Sequence, residues 1–136
     1  MRKNVNEILS IADSLPTKQD RIKFLVDNQS EPLKMVLKYA LDPNIKWLLP
    51  KGEVPYKKNK EEEFRNVFYS EARKLYLFIE GGNDNLKQNR REYLFIQLLE
   101  SIDPKDAELL VSVKDKKLPY KNITPNLVKK AFPDLL

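Results

Sequence analysis

Apolar residues recur along most of this chain at three- and four-residue spacing, the period of an amphipathic helix. Val5, Ile8, Leu9 and Ala12 share one helical face and predict a first helix over about residues 3 to 13. After Pro16, Thr17 offers an N-cap oxygen and Asp20 a first-turn carboxylate. Ile22, Leu25 and Val26 then form the apolar side of a second helix. Ser30, with Pro32 in the first turn, suits a third helix start, and Leu33, Val36, Leu37 and Ala40 make its stripe. Asp42-Pro43 ends that helix, because a residue before proline avoids the α region.

The period breaks over residues 43–60. PNIKWLLPKGEVPYKKNK is rich in proline and predicts an irregular connector, with Trp47, Leu48 and Leu49 plugged into the core. A long helix is expected over about 61–80, with Phe64, Val67, Phe68, Leu75, Phe78 and Ile79 on its apolar face. Glu61, Glu62 and Glu63 suit its dipole-positive start, and Gly81-Gly82 its end. The aromatic stripe Phe64, Phe68, Tyr69, Tyr76 and Phe78 reads as core. Another helix is expected over about 85–101, with Leu94, Phe95, Leu98 and Leu99 inward. Asp103-Pro104 opens the next, whose apolar side is Ala107, Leu110, Val111 and Val113. Thr124 caps a short helix from Pro125 to about Ala131, and Phe132, Leu135 and Leu136 are expected to dock. With three glycines and no long alternating β-branched run, strands are not expected. The reading is all-α: one compact domain over residues 1–136, a bundle of six or seven helices.

Composition narrows the chemistry. A chain of 136 residues buries roughly two-thirds of its unfolded surface and needs no staple. It has no cysteine and no histidine. That excludes disulfides, thiolate and imidazole metal sites, cysteine nucleophiles and histidine-dependent catalysis. Gly-rich phosphate loops are absent. The acidic groups Glu61–Glu63 and Asp103, Asp106 and Glu108 sit at predicted helix starts, where the macrodipole accounts for them. No enzyme activity, metal, cofactor or small-molecule substrate is therefore expected. No stretch is apolar enough for a membrane span or signal peptide, so a cytosolic protein is expected.

Lysine and arginine number 25 against 20 acidic residues, a net charge of +5. That balance favours a polyanion or an acidic protein surface as partner. The cations are grouped. Lys46, Lys51, Lys57, Lys58 and Lys60 lie on the connector. Lys114, Lys116, Lys117 and Lys121 lie where a helix gives way to a turn, Lys129 and Lys130 on the final helix, and Arg90 and Arg91 in an earlier one. Tyr56 and Tyr120 are interleaved with them. Lysines on loops and helix ends suit phosphate contacts with little sequence preference.

The opening NVNEILSIADSLPTKQDRIKFLVDNQSEPLKMVLKYALDPNIKW resembles that of the N-terminal DNA-binding domain of phage ATP-dependent DNA ligases. The end, AELLVSVKDKKLPYKNITPNLVKKAFPDLL, resembles that domain's closing stretch, with Phe132-Pro133-Asp134-Leu135-Leu136 as the final signature. The middle fits by helical pattern alone. The resemblance implies a ligase-domain-like helical fold whose closing turn faces duplex DNA. Lys114, Lys116, Lys117 and Lys121 would be the main contacts, with Arg90, Arg91, Lys129 and Lys130 supporting. Two departures stand out. Lys117-Leu118-Pro119-Tyr120 lacks the glycine usual in that turn, and no K-x-D-G lysine is present, so no ligase activity is implied. The chain is also similar in character to small stand-alone proteins of T-even-like phages and cyanophages. That likeness implies a monomeric bacteriophage accessory protein of the host cytosol, acting in DNA metabolism or transcription. One alternative is an adaptor that binds host RNA polymerase, with Trp47, Leu48 and Leu49 as an exposed apolar anchor.

Overall fold

Helix starts are set by caps written locally in the sequence. The computed structural model describes residues 2–60 and 64–136. In α1 (Val5–Ser14), Glu7 reaches back to the Asn4 N–H at 3.1 Å. Thr17 caps α2 (Lys18–Asp27) by accepting from the Asp20 N–H at 3.1 Å, and Ser30 caps α3 (Glu31–Leu41) through Leu33 at 3.2 Å. Each bond satisfies an amide that the first helical turn leaves orphaned.

The long helix expected over 61–80 does not form. Glu61–Glu63 lie outside the described residues. Past them, Asn66 takes a left-handed φ of 67°, and its N–H goes to the Asn4 side-chain oxygen at 2.8 Å instead of to a helical carbonyl. Only Phe68–Glu71 is α-helical (α4), followed by a 3-10 helix over Ala72–Phe78. Three residues per turn stack side chains at i and i+3. Ala72, Leu75 and Phe78 thus form a buried column, while Arg73 and Tyr76 form an exposed one. Tyr76 is therefore surface, not core.

The 3-10 helix stops before the glycines, not at them. Ile79 is extended and pairs with Trp47 in an isolated antiparallel bridge. Leu48 N–H donates to the Phe78 carbonyl and Glu80 N–H to that of Lys46, both at 2.8 Å. Gly82 then passes so close to Tyr76 that a Cβ would sit 1.8 Å from its carbonyl oxygen. Only glycine fits there.

The remaining helices are α5 (Gln88–Ser101), α6 (Pro104–Lys114) and α7 (Pro125–Ala131). Asp103 and Thr124 cap the last two as expected. Helix α6 is central and packs on α1, α3 and α5; α1 packs on α2 and α2 on α7. The 3-10 helix rests on α3 and α5. Hence α2 and α7 stand at one end of the packing order, and α5 with the 3-10 helix at the other. Leu25, Leu37, Phe78, Phe95, Leu99 and Leu110 are among the fully buried side chains between them. The tail docks: Phe132 is buried, and Lys38 Nζ donates to the Leu135 carbonyl at 3.1 Å. Among the described residues the fold is entirely helical, and no helix is long and apolar enough to cross a membrane.

Candidate polyanion-binding surface

Three of the eight cations expected to meet DNA turn inward. Lys114 is only 3% exposed, and its ammonium donates to the carbonyls of Pro50 (2.9 Å) and Gly52 (2.7 Å) and to Asp115 Oδ1 (2.8 Å). Burial alone would raise the Asp115 carboxyl. The Lys114 ammonium, the Gly52 N–H and the charge of Lys117 together hold it below its ordinary value. Lys116 sits at a left-handed φ of 63° and donates to the carbonyls of Tyr39 and Ile45 at 3.1 Å, and to that of Asp42. Burial holds its ammonium below the usual lysine range, with Asp42 opposing. Arg91 is buried and donates to the carbonyls of Leu77 (3.0 Å) and Asn83 (2.9 Å) and to Gln88 Oε1 (2.7 Å).

The physical reason is shared. Helix ends and irregular segments leave carbonyls without ladder partners, and long cationic side chains reach them. Lys116 closes the C-terminal end of α3, and Lys114 fastens the connector. Neither is available to a phosphate.

The apolar anchor expected at Trp47, Leu48 and Leu49 is also corrected. Trp47 is half-buried, donates its indole N–H to the Tyr39 carbonyl at 3.0 Å, and lies edge-on to the rings of Tyr39 and Phe95. Leu49 packs on the core beside it, and Leu48 holds the bridge to Phe78. These residues secure the connector, as the core-plug expectation had it, and present no free patch.

Lys117, Lys121, Lys129, Lys130 and Arg90 are exposed. Lys129 and Lys130 occupy the last turn of α7, which packs on α2. There the like charge of Lys130 lowers the pKa of Lys18, which starts α2. Sequence reading missed Lys18. A faint signal existed, since it stands directly after the cap, where the helix dipole disfavours a cation. Lys121 joins the same end of the molecule: its neighbour Asn122 is bound to Asp13, near the end of α1, through its N–H (2.8 Å) and side-chain amide (2.9 Å). Among the described residues, none of Lys18, Lys117, Lys121, Lys129 and Lys130 forms an ion pair. Arg90 lies on α5, at the opposite end of the packing order.

A second polar feature is internal. Asp103 caps α6, while Asp106, 1% exposed, caps α1 from outside by accepting the Asn6 N–H (2.9 Å) and side-chain amide (2.7 Å). Burial pushes the Asp106 carboxyl up to about 6, against the lowering effect of the Asn6 bonds. Its second oxygen has no partner among the described residues. Beside it, between α1 and α6, lies an open cleft of about 490 Å³ whose lining includes Ser10, Glu108, Ser112 and Tyr120. Burial raises the Tyr120 hydroxyl to about 12. Among the described residues, no hydrogen bond joins either serine side chain to a carboxylate, and no acidic group of three or more could hold a metal ion.

These features define an all-helical protein in which one set of cations is built into the fold and another stays exposed and unpaired among the described residues, with Lys18, Lys129 and Lys130 on the packed pair α2 and α7. Residues 8–120 match DUF6433, a family of unknown function, and the chain belongs to that family. The match includes Lys18 and the inward lysines, while Lys121, Lys129 and Lys130 lie beyond it. No curated protein and no solved structure matches the chain.

Proposed function

We propose that this protein is a non-catalytic binder of duplex DNA, acting in phage DNA metabolism or transcription, and that it grips phosphates with the α2–α7 end. The observation that carries the reading is the packing of α7 on α2, which brings the exposed Lys129 and Lys130 of one helix end to the exposed Lys18 of the other, with no carboxylate pairing any of them among the described residues. Like charges so placed repel in the free protein. A phosphate between them turns the repulsion into two charge-assisted hydrogen bonds. Lys121 and Lys129 extend the contact. The resemblance of the chain's two ends to ligase DNA-binding domains supports the same partner. The RNA polymerase adaptor has lost its anchor, because Trp47 points inward.

Salt dependence tests the reading. Each phosphate neutralised contributes about −0.9 to the slope of log K against log salt. Fluorescence anisotropy of a labelled duplex, titrated across salt concentrations, should give a slope of about −3 to −4 for this set of lysines. A slope near zero, or no binding at low salt, overturns the proposal.

A further inference from the structure

The 3-10 helix and α5 carry a different chemistry. Among the described residues, Tyr76 (47%) and Tyr93 (49%) are the only large hydrophobic side chains that are exposed. Each follows an arginine by three positions: Arg73-Lys74-Leu75-Tyr76 on the 3-10 helix and Arg90-Arg91-Glu92-Tyr93 on α5. On α5 the Arg90 guanidinium stands 5.4 Å from the Tyr93 ring centroid, and Gln97 steadies the ring by donating to its hydroxyl at 2.7 Å. On the 3-10 helix, one full turn separates Arg73 from Tyr76, so both belong to the exposed column. The two elements pack together, and Arg91 fastens them through the Leu77 carbonyl, next to Tyr76.

Between them runs an open groove of about 390 Å³, which the two tyrosines adjoin in sequence without lining. Leu77, Leu94 and Leu98 are among its lining residues, with Lys74 and Gln97. Of the carboxylates that also line it, Glu71 pairs with Lys74 at 2.6 Å, while Glu100 accepts only the Lys57 backbone N–H at 2.7 Å and keeps its charge. Neither Arg73 nor Arg90 forms an ion pair among the described residues.

We infer that this face binds single-stranded nucleic acid, with Tyr76 and Tyr93 stacking on unpaired bases and Arg73 and Arg90 meeting the adjoining phosphates. A base in a duplex already has both faces stacked, so exposed rings select a strand whose bases are free. Unpaired guanidiniums beside the rings match the charge of such a strand and of no apolar partner. The inference goes beyond duplex binding and does not rest on the lysine end.

The test is anisotropy of a fluorescein-labelled oligothymidylate, which has no duplex of its own. The wild-type protein should bind it. Replacing both rings (Y76A with Y93A) should weaken binding at least tenfold with no change in thermal midpoint, since stacking contributes about 1–3 kcal/mol per base. Y93F should keep most of the affinity and Y93L should lose it, which separates a flat ring from an apolar side chain. K18E with K130E should leave binding to this strand within about twofold, whatever it does to duplex binding. Unchanged affinity in the double tyrosine variant overturns the inference. So does polyglutamate binding as tightly as the strand and weakening equally on tyrosine removal, because the patch would then read acidic protein.

Discussion

Two lysine-rich helix ends have different fates. Lys114-Asp115-Lys116-Lys117 ends α6, and Lys129-Lys130 ends α7. In the first, Lys114 and Lys116 fold back onto carbonyls of the connector and of α3. In the second, both lysines face outward, and Lys130 meets another lysine. The difference lies in what is near. Helix α6 ends beside an irregular, proline-rich segment whose carbonyls need donors, whereas α7 ends against the first turn of a regular helix, which offers amides instead. A run of positive charge marks a nucleic-acid contact only where the surrounding backbone is already satisfied.

The largest effect should come from the inward set. Lys114→Met leaves two connector carbonyls and the Asp115 carboxylate without their donor, at a cost of about 2–4 kcal/mol in chemical unfolding. Duplex affinity of the folded protein should not change. A loss under about 0.5 kcal/mol would erase the distinction between the two stretches.

Next is Asp106, whose folded-state pKa of about 6 lies above the ordinary value of 3.8. Protonation therefore favours the fold. The stability this group contributes is complete below the ordinary value and is lost as pH rises through about 6. Unfolding free energy should fall by up to about 2–3 kcal/mol across that window, and Asp106→Asn should flatten the slope. A wild-type protein that becomes more stable as pH rises from about 5 to 7 would contradict this sign.

Lys116 should matter less, because its half-exposed carbonyl partners can find water. Lys116→Ala is expected to cost about 1–2 kcal/mol, and Lys116→Gly less, since glycine relieves the left-handed backbone. Thermal melts of the two variants rank them. Equal midpoints would remove the argument from φ.

The smallest effect on stability belongs to the outward set. Lys129→Gln and Lys130→Gln should shift unfolding by no more than about 0.5 kcal/mol, yet Lys129→Gln should lower the salt slope of duplex binding by nearly one, and Lys130→Gln by less, because Lys18 still holds the shared phosphate.

What was legible in the sequence was what is decided locally. Thr17, Ser30, Asp103 and Thr124 cap the helices they announce, because a cap and the amide it satisfies lie within three residues. The stripes of α1 and α3 read correctly for the same reason. The helix expected over 61–80 failed because partners far along the chain decide it: Asn4 takes the Asn66 N–H, and Trp47 pairs with Ile79 in an isolated bridge. Site residues divided likewise. Lys121, Lys129 and Lys130 stay exposed, as their place on a turn and a helix end suggested, but the inward turn of Lys114, Lys116 and Arg91 depends on carbonyls brought near by packing. Lys18 gains its meaning only when α7 is laid against α2.

The most direct test of the central claim is charge reversal at the paired ammonium groups. Lys18→Glu with Lys130→Glu should melt at the wild-type temperature and lose at least tenfold in affinity for a labelled duplex at low salt. Wild-type affinity in that variant would contradict the claim that the α2–α7 end holds DNA.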